Sequence, residues 1–509
     1  MKQVFLTLGL AFAFANAFAQ NGVLDANFNS TGIVNNAVGS ANAIAVDPSG
    51  NTVVCGHDRN SSTKNVYVYR YNSSGQLDNT FGVAGAVTFD LNTDYDYGRS
   101  IKALSNGKYL ICGQNSVGPY FRGYVAKLNS NGTSDLSFGN AGTLIINSNQ
   151  SNMDVWAMDV ASNGTIYAAG YVTVNTIVRA AVWKISANGV VDQTFGFGGV
   201  ASINSSNYGD RLFSIDYNEN NHLLAVTGVS TNVSTPEGLI ALMDTTGQLK
   251  TSFNNLGYAT VAQSANPTTL YDVCLRNQSL VVCGFHLNGA NNNALMAAFD
   301  LSGNPLNGFA NSGVYTDNLS SLSSFNQMDE DCQGSLYVGG HLLYNAMKSF
   351  YIAKFSSNGQ LDANFASNGQ FVTRLNASYD EFIEGMALHG NNGIVACGRT
   401  NSGASSTRSG LIKVSVSACG GSSIHSDLAA AQVGLLYPNP IASNQVLNVY
   451  SPTAISNISF INALGQMVYS QNDLAGQIQH ALTLPALSPG VYQVLINADN
   501  TTVKTLVVQ

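Results

Sequence analysis

Gly75-Gln76-Leu77-Asp78-Asn79-Thr80-Phe81-Gly82-Val83-Ala84-Gly85 decides how this chain folds, because it comes back. A glycine followed six residues later by phenylalanine, and four residues after that by another glycine, recurs along the chain. The phenylalanines are Phe28, Phe81, Phe138, Phe195, Phe253, Phe309 and Phe365, spaced 53 to 58 residues apart. A fixed period of this size marks a repeat architecture in which each unit is one supersecondary element. Each unit carries four short β signals: a strand directly after the motif (Ala86 to Phe89) and a second (Ser100 to Leu104); an apolar third that ends at a glycine (Gly56, Gly113, Gly170, Gly228, Gly284, Gly340, Gly398); and a fourth running into the next motif (Tyr124 to Leu128). Turns such as Ser105-Asn106-Gly107 punctuate these strands as hairpins. Four short strands per unit, repeated radially, describe propeller blades, and one such unit cannot bury both its faces alone. The repeat therefore predicts an all-β fold, with a seven-bladed β-propeller over residues 20–417. If the strand after each motif is the outer strand of the preceding blade, residues 33–36 complete the last blade and clasp the ring.

Composition agrees. The 509 residues are 45% hydrophobic but only 10% charged, and the 50 glycines supply turns. With a formal net charge of −8 and no basic run, nucleic acid is not expected as a partner. Lys2, the apolar run Val4 to Phe14 and Ala17-Phe18-Ala19 read as a signal peptide over residues 1–19, cleaved after Ala19. That run is shorter than the ~20 residues a membrane span needs. No transmembrane segment is expected in the mature chain, which reads as a monomer.

Past Val416 the period stops. Cys419-Gly420-Gly421-Ser422-Ser423 opens a linker over residues 418–432, and residues 433–509 follow a different pattern. It contains Leu436-Tyr437-Pro438-Asn439-Pro440, Asn462-Ala463-Leu464-Gly465-Gln466, Leu487-Ser488-Pro489-Gly490-Val491-Tyr492 and a last strand around Lys504. Alternating strands between these turns predict a small C-terminal β-sandwich.

The repeated Gly-x-Leu-Asp-x-x-Phe-Gly-x-x-Gly pattern, seen best at Leu77-Asp78, Val191-Asp192 and Leu361-Asp362, resembles the delta-60 repeat family. Leu249-Lys250 and Leu306-Asn307 depart from it. That family is recognised as propeller-like and implies no settled activity. The tail resembles the type A C-terminal sorting domain of the type IX secretion system of Bacteroidota. The resemblance implies passage through the outer membrane, the secretion machinery as a partner, and a secreted or cell-surface location.

No catalytic constellation stands out, since H-E-x-x-H, G-x-S-x-G and zinc-spaced Cys/His clusters are all missing from the sequence. Neither a cofactor nor a metal site is expected, and Asp94-Tyr95-Asp96 lacks the further oxygens of a calcium loop. Cys55, Cys112, Cys283 and Cys397 occupy one slot in successive units, where Ala169, Thr227 and Gly339 stand elsewhere, so they read as small core residues. Arg70, Lys127, Lys184, Lys354 and Lys413 recur in the fourth strand and read as charges that protect an edge. An acid beside an aromatic recurs near the loops that open the units: Tyr95 and Asp96, Asp154 and Trp156, Tyr208 and Asp210, Tyr379 and Asp380. Aromatic faces with acceptors suit sugars, while Asp in loops also bonds local turns. These eight residues are the candidate ligand contacts, for a glycan or protein held on one propeller face. The leading expectation is an exported binding or scaffold module without enzymatic activity. Its rival is a propeller hydrolase or lyase acting on a polysaccharide.

Overall fold

A computed structural model of the chain describes residues 21–36, 39–58, 64–91, 95–146, 152–206, 208–231, 235–262, 266–317, 320–376, 378–390, 392–401, 407–416, 435–437, 441, 445–450, 455–462, 466–472, 479–484, 486–497 and 501–508. The leader 1–19, its cleavage point at Ala19 and the 418–432 linker lie outside the described residues. The chain divides into two compact units, Met1–Asp427 and Leu428–Gln509. Among the described residues, all regular elements are β-strands, and no helix is long and apolar enough to cross a membrane.

In the larger unit the first complete sheet is Ser40–Val46, Thr52–His57, Val66–Tyr71 and Ala86–Phe89, antiparallel throughout. The same meander recurs from Asp96–Ala103 to Thr143–Ile146, from Met153–Val160 to Val200–Ile203, from Gly209–Asn218 to Tyr258–Val261, from Thr268–Leu275 to Val314–Thr316 and from Ser323–Glu330 to Gln370–Thr373. Parallel pairings of Lys64 with Tyr95, Val178 with Gly209 and Asn292 with Leu322 link successive sheets. The strand after each motif therefore closes the sheet before it. The last sheet, Glu381–His389, Gly393–Asn401 and Thr407–Ser415, is completed from the other end of the chain. Ile33–Asn36 pairs with Thr407–Ser415, Ile33 lying opposite Ile412, and Val23–Leu24 pairs farther along the same strand.

The first strand of each sheet packs on the first strand of the next, and Glu381–His389 packs back on Ser40–Val46. Apolar cores fill the spaces between successive sheets. The core between the last sheet and the first contains Phe28 and Val34 with Ala41, Ile44, Val54, Tyr71, Cys397 and Leu411. Each motif phenylalanine is at most 3% exposed, which is why the motif tolerates little else at that position.

The recurring cations are not edge charges. Val66–Tyr71 is hydrogen-bonded on both sides, so its strand is interior, and Arg70 reaches Asp78 of the following motif at 2.8 Å. The pairing repeats as Lys127–Asp135 at 3.9 Å, Lys184–Asp192 at 3.2 Å, Lys354–Asp362 at 3.0 Å and, between the two ends of the unit, Lys413–Asp25 at 3.2 Å. Where the strand carries Leu242 or Ala298 instead, the position that bonds back to it is Lys250 or Leu306, so cation and acid are lost together. Backbone pairing thus places Pro305-Leu306, not Leu306-Asn307, in the Leu-Asp slot.

The glycine that recurs in the second strand of each sheet has a steric cause. Each first strand contains one bulge, at Asn42, Arg99, Trp156, Phe213, Tyr271, Asn326 and Glu384. The bulge drives a first-strand carbonyl across the pair. A Cβ on Gly113 would collide with the Tyr97 carbonyl oxygen, and one on Gly170 with that of Asp154. Beside these glycines, Cys55, Cys112, Cys283 and Cys397 are free thiols and fully buried, and burial pushes each thiol well above its ordinary range.

Carboxylates stitch successive sheets one repeat apart. Asp159 accepts from Tyr217 N at 2.9 Å, Asp216 from Leu275 N at 2.6 Å, Asp272 from Met328 N at 2.7 Å and Asp329 from Leu388 N at 2.8 Å. Desolvation pushes Asp272 up to about 6, against hydrogen bonds from Ser214 Oγ, Met328 N and Val273 N that favour its charge. The folded chain therefore holds this proton more tightly than the unfolded chain, and Asp272's contribution to stability is lost as pH rises from about 4 through 6. Asp272→Asn is expected to shrink the difference in urea midpoint between pH 4.5 and pH 7. An unchanged difference in paired denaturation curves would refute the assignment.

In the smaller unit, Leu435–Tyr437, Val446–Tyr450 and Gln479–Thr483 form one sheet. Met467–Asn472, Asn457–Ile461, Gly490–Asn497 and Thr501–Val508 form a second. Leu447, Ile458, Phe460, Leu482, Val494 and Leu506 share one core.

Candidate functional site

The bulges create the candidate site. A bulge re-aims one side chain out of the alternation of a strand, and here it does so once per sheet, on the strand that packs against its counterparts. Four of the seven side chains meet in order. The Arg99 guanidinium lies 4.0 Å from the Trp156 ring, Trp156 meets Phe213 edge-on at 5.2 Å, and Phe213 meets Tyr271 at 5.7 Å. Tyr271 continues to Phe285 at 5.9 Å. Asn326 donates to Ile383 O at 2.8 Å, Glu384 accepts from Arg399 Nε at 2.8 Å, and Asn42 donates to Gly98 O at 2.7 Å. Arg99 and the three rings make a continuous aromatic arc, the other three bulge residues are polar, and all seven are half-buried.

Of the residues expected from sequence, Asp154 and Trp156 belong here. Asp154 is 1% exposed and pairs with Arg99 at 3.1 Å. Burial pushes its carboxyl upward while the Arg99 guanidinium pulls it down. Three buried polar atoms at this junction, Arg99 Nε, Asp154 Oδ1 and Trp156 Nε1, have no hydrogen-bond partner. Both lie inside the strand Met153–Val160 and not in a loop.

Asp96 and Asp210 are placed differently. Both are fully buried. Asp96 accepts from Leu91 N at 2.7 Å and Asn115 Nδ2 at 2.6 Å, and Asp210 accepts from Ser205 N and Ser205 Oγ, each at 2.9 Å. Glu381 does the same for Leu375 N at 2.7 Å and Asn376 N at 2.6 Å. These acids tie down the loop that leads into their own strand, and their oxygens are turned away from solvent. Asp380 accepts from Lys348 N at 2.9 Å. Tyr95 and Tyr208 are exposed and Tyr379 half-exposed; Lys64 Nζ lies 5.1 Å from the Tyr95 ring.

Reading the sequence missed Arg99, Phe213, Tyr271 and Glu384. A signal was present: two residues past the residue whose carbonyl would meet a Cβ on the repeat glycine, successive units carry Asn, Arg, Trp, Phe, Tyr, Asn and Glu. Among the described residues, no group of three or more His, Cys, Asp or Glu side chains is placed to hold a metal ion.

Residues 435–509 match the secretion system C-terminal sorting domain. Residues 48–81, 104–138, 161–195 and 334–365 match the "Domain of unknown function (DUF5122) beta-propeller". The sorting domain marks the chain for export by type IX secretion to the cell surface or extracellular space, and implies an interaction with that machinery. No curated protein matches the chain. Solved structures similar to it include Chaetomium thermophilum Sqt1 bound to the N-terminus of ribosomal protein L10 (11% identity, 93% of this chain and 100% of that one, TM-score 0.40). Others are polysaccharide lyase Uly1 (10%, 81% and 94%, TM-score 0.44) and the extracellular domain of a putative hybrid two-component system from B. thetaiotaomicron (10%, 96% and 60%, TM-score 0.35). Likenesses at this level carry no information on activity.

Proposed function

We infer that this chain, built from DUF5122 β-propeller repeats and ended by a secretion sorting domain, works outside the cell as a monomeric binding module. In this reading its repeats close into a seven-bladed propeller, its tail is a β-sandwich, and its ligand sits at the mouth formed by the first-strand bulges. One observation carries the proposal: each of seven first strands carries one bulge, and four of the re-aimed side chains, Arg99, Trp156, Phe213 and Tyr271, meet in a continuous row. A framework that spends one glycine per sheet to aim one variable residue is built to present those residues.

Binding is favoured over hydrolysis or elimination because the rim acids are engaged. A glycosidase needs two carboxyl groups facing one bond, about 5 to 10 Å apart. Asp96 and Asp210 have their oxygens occupied by their own loops, and Asp154 faces Arg99.

Screening the chain from Gln20 onward against glycan and protein arrays tests the reading. Phe213→Ala opens the aromatic arc without touching a loop anchor, and is expected to abolish the array signal while leaving the melting temperature within a few degrees. A signal that survives in Phe213→Ala would move the site elsewhere. Depolymerisation of a polysaccharide that disappears in Asp154→Asn would make the protein an enzyme.

A further inference from the structure

We propose that the mouth takes an acidic saccharide, a chain of uronate residues, with carboxylates held by arginine and lysine and ring faces laid on the aromatic arc. The proposal rests on the mouth being the binding site, and deepens that reading.

Its basis is how the cations are spent. Lys102 pairs with Asp159 at 3.0 Å, Lys108 with Asp135 at 2.9 Å and Arg276 with Glu330 at 3.0 Å, and the motif cations Arg70, Lys127, Lys354 and Lys413 each hold both an acid and a ring. Three other cations hold a ring without an acid. Arg211 sits 5.4 Å from the Tyr171 ring, Lys348 4.9 Å from Phe382, and Lys64 4.7 Å from Tyr97, whose hydroxyl it also reaches at 2.8 Å. None of these three has a carboxylate within ion-pair distance among the described residues. Arg99 and Arg399 combine both kinds of partner, with Trp156 and Asp154 for the first and Phe382 and Glu384 for the second. The acids nearby are engaged, Asp96, Asp210 and Glu381 by loop N–H groups and Asp154 and Glu384 by arginines, so the ring-held cations left without an acid are Lys64, Arg211 and Lys348, in a chain of net charge −8.

A cation over a ring is positioned but not neutralised. Guanidinium presents a fork that matches a planar carboxylate, which a neutral sugar cannot exploit. The ring arc supplies the complementary half, since the CH-rich face of a pyranose packs against aromatic side chains. The orphaned Arg99 Nε, Asp154 Oδ1 and Trp156 Nε1 at the junction of the two halves are a donor, an acceptor and a donor. Sugar hydroxyls can serve both kinds, whereas a bare anion serves only donors. An acidic peptide would meet the cations but has no CH-rich ring to place on the arc.

The test is titration calorimetry of the full mature chain with oligogalacturonate, a neutral glucan oligomer and oligoglutamate, in low and high salt. Oligogalacturonate is expected to bind, more weakly at high salt, and Arg211→Gln to weaken it about tenfold or more, the worth of one charge-assisted hydrogen bond. Phe213→Ala is expected to weaken it comparably. Equal binding of the neutral glucan, unaffected by Arg211→Gln but lost in Phe213→Ala, would overturn the acidic class and leave the mouth as the site. Oligoglutamate binding as tightly as oligogalacturonate would make the ligand an acidic peptide and overturn the saccharide. Oligogalacturonate binding that neither variant alters would overturn both the class and the mouth, and no oligogalacturonate binding at millimolar concentration would overturn the class.

Discussion

A chain lacking residues 21–36 is expected to be the least stable variant that this fold can yield short of unfolding. The deletion removes Phe28, fully buried, and Val34, 8% exposed, from the core between the last and first sheets. It strips the Thr407–Ser415 strand of its outer partner and leaves Lys413 without Asp25. Truncating one buried phenylalanine costs about 3 to 5 kcal/mol by itself, so the whole segment is worth on the order of 5 kcal/mol or more. Denaturant unfolding should show a much lower midpoint, and Phe28→Ala alone should reproduce most of the loss. A deletion variant that unfolds at the parent midpoint would mean that the segment pairs with Thr407–Ser415 without stabilising it.

The second large effect should come from one methyl group. Gly170→Ala places a Cβ against the Asp154 carbonyl oxygen, a backbone atom held by the bulge at Trp156. A flexible side chain could step aside; a carbonyl in a paired strand cannot without breaking its ladder. Over-packing of this kind costs about 1 to 3 kcal/mol where side chains can adjust, and more where they cannot, so about 3 kcal/mol or more is expected in equilibrium unfolding. Gly164→Ala is the control of the opposite kind. That glycine has a φ of +82° and a Cβ there would press only on the Ala187 Cβ, a side-chain atom and not a strand carbonyl, so its cost should be smaller, about 1 to 2 kcal/mol of backbone strain with a local shift at Ala187. If Gly170→Ala proves as mild as Gly164→Ala, the bulge is not rigid and the ring of side chains it aims is not fixed.

What could be read in advance follows from what repetition exposes. The period, the motif phenylalanine and the sheet-forming strands were legible because each appears again and again, so accidents average out. Phase was left open by the motif: hydrophobic alternation does not say to which neighbour a strand belongs, and the pairings do, Ala86–Phe89 on Val66–Tyr71 and Ile33 on Ile412 among them. The cations were visible but misassigned, because an edge and an interior strand share one sequence pattern. The eight-residue spacing from Arg70 to Asp78, and the joint loss of charge at Leu242 and at Ala298, held the better answer. Among the candidate contacts, Trp156 sits at a first-strand bulge with Asp154 beside it, whereas Asp96 and Asp210 are buried against their own loops. An acid in a loop is equally apt to bind a guest or its own backbone, and sequence does not distinguish the two.

The seam between the two ends of the larger unit also sets an order of events. Six sheets form from contiguous stretches of chain, and each can assemble as soon as its own residues are present. The seventh joins strands from opposite ends, the kind of distant contact that is formed late because its loop-closure entropy must be met first. Gly22 N already bonds Ser415 O at 2.7 Å, and the leader expected to end at Ala19 lies immediately upstream. The youngest part of the larger unit therefore waits on the oldest. The exposed edge of Thr407–Ser415 is then the place where an unfinished chain would pair with another.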